Sequence, residues 1–190
     1  MKKRNYYFSI QLHMIRRKQI MELWDLLDEK RQPLNKMHNR EDNMIIGQYH
    51  VVVGIWTVNS NNEILLTLRH PDKKEYPNFW ENTAGSVLAG ETIREGAVRE
   101  LFEETGIVAN EDELFLLGTK KEETAFVDTY ILRRDVKISE LTMQEGETID
   151  AQWVTLDKLD RMIKLGAIAL PVVKRLAFLR KSFENFLFQK

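Results

Sequence analysis

Cysteine is absent from the 190-residue sequence. This absence excludes disulfides, zinc sites built from thiolates and catalysis by a thiol nucleophile. Positive and negative charges nearly cancel, leaving a net charge of −1, so there is no broad electrostatic basis for binding duplex nucleic acid. No apolar run approaches the roughly 20 residues that a membrane-spanning helix needs. We therefore expect a cytoplasmic protein with neither a nucleic-acid nor a membrane partner.

The composition is otherwise that of a globular protein with a full hydrophobic core. Hydrophobic residues make up 43% of the chain and charged residues 30%, as in soluble domains, and the length suits one domain with short additions. Residues 1–20 are basic and aromatic, lack a secretory cleavage signal, and are interpreted as an N-terminal extension. We predict a main domain at residues 21–170 and a C-terminal helix at 171–190 that packs on the same domain.

Local patterns predict a mixture of strands and helices. Runs rich in β-branched and aromatic residues indicate strands at residues 22–28, 48–58, 63–69, 113–120, 124–133 and 148–154. The polar residues 59–62 predict a hairpin turn, whereas the polar stretch 34–43 favours a loop. Thr155 is a predicted helix N-cap, and Pro171 is predicted to open an amphipathic C-terminal helix. Mixed elements of this kind pack naturally as an α/β/α sandwich.

Residues 85–107, GSVLAGETIREGAVRELFEETGI, predict a glycine turn followed by a short helix. Thr92 and Glu95 have the spacing of a capping box, in which each side chain binds the other residue's backbone amide. Gly106 stands where a residue in the left-handed conformation would end the helix. The predicted helix therefore has a start signal and a stop signal of its own.

Three carboxylates share one side of this predicted helix at spacings of three and four residues: Glu100, Glu103 and Glu104. Like-charged neighbours at such spacings destabilise an isolated helix by about 0.2–0.5 kcal/mol per pair. A divalent cation would turn that repulsion into binding energy, and hard oxygen ligands suit Mg²⁺ or Mn²⁺. On the helix alone, a solvated acidic face is the alternative interpretation.

The same stretch resembles the Nudix box, G-x5-E-x7-R-E-U-x-E-E-x-G-U, in which U is an aliphatic residue. It matches at every defined position, which are Gly85, Glu91, Arg99, Glu100, Leu101, Glu103, Glu104, Gly106 and Ile107. At average residue usage, its seven fixed identities would arise by chance about once in 10^8 windows. The resemblance implies an α/β fold, the Nudix-type α/β/α sandwich with a mixed central sheet. It also implies an enzyme that uses Mg²⁺, or alternatively Mn²⁺, to hydrolyse a diphosphate linked to another group.

Roles implied by the resemblance can be assigned residue by residue. The implied metal ligands are the carbonyl of Gly85 and the carboxylates of Glu100, Glu103 and Glu104. Arg99 would orient these carboxylates through charge-assisted hydrogen bonds. The expected catalytic set is Glu103, Glu100, Arg99 and Glu147, with Glu147 as a further ligand or the general base. Weaker candidates for that last role are Glu145, Glu122 and Glu123.

The loop before the box contains candidate substrate contacts. Arg69, Lys73 and Lys74 form a basic cluster suited to phosphate, because a diphosphate needs cationic donors beyond the metal. A solvated loop is the alternative interpretation of this cluster. Tyr76 and Phe79 are candidates for the substrate pocket, where they could stack on a base, although such residues commonly belong to a core.

Several other segments resemble the branch of the superfamily related to type I isopentenyl-diphosphate isomerase: ELWDLLDE, HVVVGIW, LLTLRHPDKKEYPNFWENT and QWVTLDKL. That family uses a cysteine immediately before the box glycine, where this chain has Ala84. It also has a histidine shortly after the glycine, where this chain has Ser86, Val87 and Leu88. Isomerase chemistry is therefore the disfavoured alternative.

A binding module without catalytic activity is the other alternative, but such a module would be expected to lose box carboxylates, and none is lost here. A small-molecule diphosphate is the expected partner. By analogy with the superfamily, a nucleoside di- or triphosphate or a nucleotide derivative is the default substrate. The exposed side of the C-terminal helix could serve a homodimer.

Overall fold

The computed structural model describes residues 22–188, so the predicted extension at residues 1–20 lies outside the described part. Its strands are β1 (Leu23–Leu27), β2 (Pro33–Asn39), β3 (His50–Val58), β4 (Ile64–Arg69), β5 (Trp80–Glu81), β6 (Thr83–Ser86), β7 (Phe115–Lys121), β8 (Ala125–Arg133) and β9 (Thr148–Val154). Its α-helices are α1 (Ile93–Thr105), α2 (Leu156–Lys164) and α3 (Leu170–Phe188), with short 3-10 turns at Glu111–Glu113 and Ile138–Glu140.

The main sheet is mixed, as predicted. β3 and β8 run parallel at its centre, paired from His50–Ala125 to Val58–Arg133. The strand order is β5-β4-β3-β8-β7, with β6 also paired to β3 and β9 to β4, and all of these other pairings are antiparallel.

Helices cover both faces of this sheet. Along β3, Val53 and Ile55 belong to the apolar cluster that includes α1, whereas Trp56 and Val58 belong to the cluster with α2 and α3. A strand that is buried on both faces has a nearly continuous apolar sequence, which explains the run from His50 to Val58. The predicted α/β/α sandwich is confirmed.

α1 begins and ends where its sequence signals predict. The Thr92 hydroxyl accepts a hydrogen bond from the Glu95 amide at 3.2 Å, and the Glu95 carboxylate accepts one from the Thr92 amide at 2.7 Å. Gly106 adopts a φ of 73° after the last turn. Ala97 and Leu101 are fully buried against the sheet. One side of α1 is therefore fixed in the core, and the side with the carboxylates is left for the site.

The prediction of a loop at residues 34–43 is wrong over most of β2. This strand pairs with β1 as a separate two-stranded sheet, with Trp24 opposite His38. Only His38 is buried in β2, so the strand lacks the alternating apolar residues that would reveal it in the sequence. The strand at 48–58 and the turn after it are confirmed, but β3 pairs with β4 only at Val58–Ile64, because β6 occupies the same edge of β3 at Val52–Ile55.

The C-terminal helix packs on the main core. α3 begins at Leu170, one residue before the predicted start. Its buried residues recur at helical spacing and join the same apolar cluster as α2: Val172, Leu176, Leu179, Phe183 and Leu187. Within residues 22–188, no helix is both long and apolar enough to cross a membrane.

Candidate active site

A cavity of about 570 Å³ lies over the acidic side of α1. Its walls come from the β1–β2 hairpin, the loop after β4, the segment from β6 to α1, and the loop before β9. The residues that line it are Glu22, Leu23, Met37, Arg40, Arg69, Lys73, Ala84, Gly85, Ser86, Leu88, Ala89, Arg99, Glu100, Glu103, Glu104, Gln144 and Glu147. The fold thus brings the predicted metal ligands, two of the predicted phosphate contacts and Glu147 into one place.

Arg99 organises the acidic wall of the cavity. Its guanidinium contacts both oxygens of Glu91, at 2.8 and 3.0 Å. Its Nη1 donates to Glu100 at 2.8 Å and to Glu103 at 2.9 Å, and its Nη2 donates to the Ser86 carbonyl at 2.9 Å. Charge-assisted hydrogen bonds of this kind fix geometry as well as charge. Arg99 therefore contacts three carboxylates of the wall at once.

Glu100 lies directly against the backbone of β6. A Cβ atom on Gly85 would be 2.0 Å from Glu100 Cδ, so only glycine permits this approach. Burial raises the pKa of Glu100 to about 7, although the charge of Arg99 opposes the shift. The glycine of the box is therefore explained by the close packing of a buried carboxylate on the strand.

Glu104 has a buried carboxylate oxygen, Oε2, with no hydrogen-bond partner among the described residues. Burial raises the pKa of Glu104 well above its usual value, the negative charges of Glu100, Glu81 and Glu147 act in the same direction, and the Ala84 backbone opposes them. A buried carboxylate oxygen without a partner is costly in a folded protein. A cation is the partner that would relieve both the burial of charge and the mutual repulsion.

The donors at this site fit a hard divalent cation, because they are carboxylate oxygens on a single wall. As they stand, no three acidic or histidine side chains within residues 22–188 surround a common point that an ion could occupy. Glu100 and Glu103 are instead each paired with Arg99. The chemistry of the ligands is therefore present, with two of them held in ion pairs.

The predicted phosphate contacts are separated by the fold. Arg69 lines the cavity, but its Nη1 contacts both oxygens of Glu81, at 2.7 and 2.8 Å, and its Nε and Nη2 donate to the Glu75 carbonyl. Lys73 also lines the cavity and is paired with Glu147. Lys74 is exposed and lies outside the cavity wall. Two of the three cations therefore face the site, and both already have acidic partners.

Tyr76 and Phe79, the predicted pocket residues, also lie outside the cavity wall. Their rings meet edge to face, with centroids 5.8 Å apart. Both rings pack against the apolar cluster that contains α2 and α3. The loop that carries them is therefore fixed by its aromatic residues, and its Lys73 lines the cavity.

The three weaker acidic candidates lie outside the cavity wall as well. Glu122 pairs with Arg175 on α3, at 2.8 Å. Glu123 and Glu145 are exposed. Of the four acidic residues considered outside the box, Glu147 is the one that lines the cavity.

Sequence reasoning missed the contribution of the β1–β2 hairpin. Glu22 and Arg40 stand side by side at its open end, with Oε2 and Nη1 2.5 Å apart, and Met37 lines the cavity beside them. Hydrogen bonding to Glu22 raises the pKa of Arg40, and the charges of Glu147 and Glu100 act in the same direction. In the sequence, Glu22 and Arg40 are 18 residues apart. They become neighbours only because β1 pairs with β2, a pairing that the sequence pattern did not reveal.

The NUDIX domain family matches residues 48–176. A Nudix hydrolase of Listeria monocytogenes is 36% identical over 152 residues, which cover 77% of this chain and 87% of that protein.

Solved structures show the same fold. DR0079 from Deinococcus radiodurans has a TM-score of 0.69 at 24% identity, covering 85% of this chain and 99% of that one. A bifunctional NMN adenylyltransferase/ADP ribose pyrophosphatase from Francisella tularensis, complexed with AMP and a Mn ion, has a TM-score of 0.56 at 19% identity, covering 71% of this chain and 42% of that one. With the box intact and the family match spanning most of the chain, this protein belongs to the Nudix hydrolase family.

Proposed function

We propose that this protein hydrolyses a diphosphate linkage in a nucleoside di- or triphosphate or a nucleotide derivative, with Mg²⁺ or Mn²⁺ as cofactor. The observation that carries the proposal is the pair of buried carboxylates, Glu100 and Glu104, beneath an open cavity. Glu104 Oε2 lacks a partner among the described residues. Because Gly85 has no side chain, Glu100 can pack directly against the strand. The protein alone leaves the negative charge of these carboxylates incompletely compensated, and a bound cation would compensate it.

The proposed ligands are Glu100, Glu103, Glu104 and the Gly85 carbonyl. When bound, the cation supplies neutralisation of the diphosphate charge and activation of the attacking water. Arg99 orients Glu100 and Glu103 through the ion pairs already described. These positions must be fixed before the reaction, because misplacement by even 1 Å can cost about a hundredfold in rate.

Glu147 is proposed as the general base or a further ligand. It lies on the cavity wall, and its partner there is the Lys73 ammonium. A carboxylate in this position can accept a proton from the attacking water, while Lys73 is placed to face the phosphate charge. Arg69 supports the same wall through Glu81.

The first substrate to test is ADP-ribose. The Francisella tularensis protein is described as an ADP ribose pyrophosphatase and was solved with AMP and a Mn ion. The cavity of about 570 Å³ lies within the range of roughly 300–1,000 Å³ that small-molecule sites occupy. A nucleotide diphosphate derivative is therefore a reasonable starting point.

The experiment is a turnover assay with Mg²⁺ or Mn²⁺ on ADP-ribose, nucleoside di- and triphosphates, nucleotide sugars and prenyl diphosphates. We expect hydrolysis of at least one substrate, and a fall in kcat of about a hundredfold or more in Glu104→Gln, as for the loss of other transition-state charge stabilisers. Glu145→Gln removes an exposed carboxylate nearby and should retain full activity.

The proposal fails if no substrate turns over, or if Glu100→Gln and Glu104→Gln hydrolyse at the wild-type rate. Conversion of isopentenyl to dimethylallyl diphosphate, without hydrolysis, would replace the proposal with isomerase activity. We expect no such conversion, because Ala84 at the cavity wall stands where the isomerase family has its cysteine.

A further inference from the structure

The open end of the β1–β2 hairpin forms a wall of the cavity that the family match does not include. The matched residues are 48–176, whereas Glu22, Leu23, Met37 and Arg40 line the cavity from outside that range. The hairpin therefore adds residues to the cavity wall from outside the matched domain.

Hydrogen bonds hold the hairpin against the segment that precedes α1. The Leu23 carbonyl accepts from the Ala89 amide at 2.8 Å, and the Asp25 carboxylate accepts from the Gly90 amide at 2.8 Å. Because that segment leads directly into the acidic helix, the hairpin has a defined position relative to the carboxylates. A side chain at its open end can therefore serve a bound substrate.

The four cations that line the cavity differ in how fully their donors are used. Arg99 serves three carboxylates and a carbonyl, and Arg69 serves Glu81 and a carbonyl. Lys73 pairs with Glu147. Within the described part of the chain, the Arg40 side chain donates through Nη1 alone, to Glu22.

The Glu22–Arg40 pair is also the most exposed of these ion pairs. The Arg40 side chain is 57% exposed and that of Glu22 is 47% exposed. Exposed ion pairs contribute little to stability, so the exchange of one partner for another costs little. A guanidinium with unused, parallel N–H groups matches the geometry of phosphate oxygens.

We propose that Arg40 binds a phosphate group of the substrate, exchanging Glu22 for the phosphate when the substrate enters. This inference rests on the proposed function, since it assigns a substrate contact to the same site. Glu22 then acts as the resting partner of Arg40 and competes with the substrate. Arg40 selects for diphosphate compounds that place a phosphate oxygen next to the hairpin.

The proposal is tested by calorimetric binding of methylenediphosphonate, a diphosphate that cannot be hydrolysed, in the presence of Mg²⁺. Arg40→Gln should weaken binding about tenfold or more, the effect of losing a charge-assisted hydrogen bond. Glu22→Gln should leave binding equal or strengthen it a few-fold, because the competing carboxylate is gone. Arg40→Lys should fall between wild type and Arg40→Gln.

Lys36→Gln is the matched control. It removes one positive charge from an exposed position on β2, the strand that leads to Arg40, and Lys36 lies outside the wall of this cavity. Binding by this variant should equal that of wild type. In turnover assays, Arg40→Gln should raise KM about tenfold with a much smaller change in kcat, since ground-state and transition-state binding are lost together.

Unchanged binding in Arg40→Gln would overturn the proposal. It would also be overturned if Arg40→Gln and Glu22→Gln weakened binding equally, because an ion pair with only a structural role loses the same contact in both variants. The binding measurement needs no turnover, so it judges Arg40 separately. Absence of hydrolysis by the wild type would count against the proposed function alone.

Discussion

Glu104 is the residue whose surroundings differ most from those of an ordinary helix carboxylate. Its neighbours Glu100 and Glu103 each accept a hydrogen bond from Arg99, whereas Glu104 Oε2 has no partner in the described part of the chain. The charge of a carboxylate with a buried oxygen must be matched by a partner or be removed by protonation. Glu104 is therefore expected to destabilise the metal-free protein, and a bound cation would offset this destabilisation.

Gly85 offers a direct test of the close packing around the carboxylates. In Gly85→Ala the new methyl group would meet Glu100 atoms at 2.0–2.3 Å, so Glu100 must move. We expect kcat/KM to fall about tenfold or more, because the proposed ligands lose their geometry. Gly54→Ala is the control, since a Cβ there makes only ordinary van der Waals contacts, the nearest at 3.5 Å to Asn82 Nδ2, and its φ lies outside the left-handed region. Equal kcat/KM in Gly85→Ala and wild type would contradict this account.

His50 predicts a loss of stability in acid that is independent of the carboxylates. It is buried and stacks on Trp24 with ring centroids 3.9 Å apart, and burial lowers its pKa from 6.5 to about 4, with smaller contributions from His38 and Arg40. The unfolded chain therefore binds a proton at a higher pH than the folded chain. The free energy of unfolding should fall as pH decreases from about 6.5 towards 4, by roughly 3 kcal/mol in total.

Urea unfolding of wild type and His50→Phe at pH 7.5 and 4.5, with EDTA present, measures this contribution. The aromatic replacement retains the stacked ring but cannot titrate. We expect the difference in stability between the two proteins to change with pH in favour of His50→Phe in acid. If both proteins lose equal stability between these pH values, His50 is not responsible.

At the scale of elements, the β1–β2 hairpin is held at its turn as well as at its open end. Arg31, with a φ of 63°, donates to both oxygens of the buried Asp128, at 3.0 and 2.5 Å. The Thr119 hydroxyl also donates to Asp128, at 2.6 Å. These contacts attach the turn to β7 and β8, so the central sheet determines where the cavity wall stands.

Arg31→Gln should loosen this element. It leaves Asp128 buried with Thr119 as its remaining partner, and we expect a loss of about 2 kcal/mol, less than for a fully buried pair because Arg31 is partly exposed. Urea unfolding measures the loss, and hydrogen exchange should locate it in β1 and β2. Lys30→Gln, an exposed change in the same turn, is the control. Equal protection of the hairpin amides in wild type and Arg31→Gln would contradict the anchoring role.

The elements differ in how far the sequence could predict them, for physical reasons. α1 depends on local interactions, namely the Thr92–Glu95 capping box and the left-handed Gly106, so its limits were predictable. β2 depends on pairing with β1 and is mostly exposed, so its sequence contains no apolar alternation. Arg69 shows the same limit within the site, because its pairing with Glu81 arises only when β4 and β5 become neighbours.

At the scale of the molecule, two apolar clusters on opposite faces of the sheet supply the stability that the acidic site reduces. Active sites commonly lower stability in this way. Glu104→Gln should therefore stabilise the metal-free protein by about 1–2 kcal/mol at pH 8, because it removes a negative charge that lies among other carboxylates and has one oxygen, Oε2, without a partner among the described residues. Glu103→Gln should give no such gain, because it breaks the ion pair with Arg99.

Urea unfolding in EDTA compares these two variants with wild type. A gain in Glu104→Gln alone would separate the cost of the buried Oε2 from the general effect of removing negative charge. Equal or lower stability of Glu104→Gln relative to wild type would show that Glu104 is well accommodated without a cation.

The central claim is that the buried carboxylates of α1 hold a divalent cation, and calorimetric titration with Mn²⁺ tests it most directly. Wild type should bind Mn²⁺, and Glu104→Gln should bind it about tenfold or more weakly, as expected when a buried ligand is lost. Glu145→Gln, which removes an exposed carboxylate outside the cavity wall, should bind it as wild type does. Absence of binding to wild type, or equal affinity in wild type and Glu104→Gln, would contradict the claim.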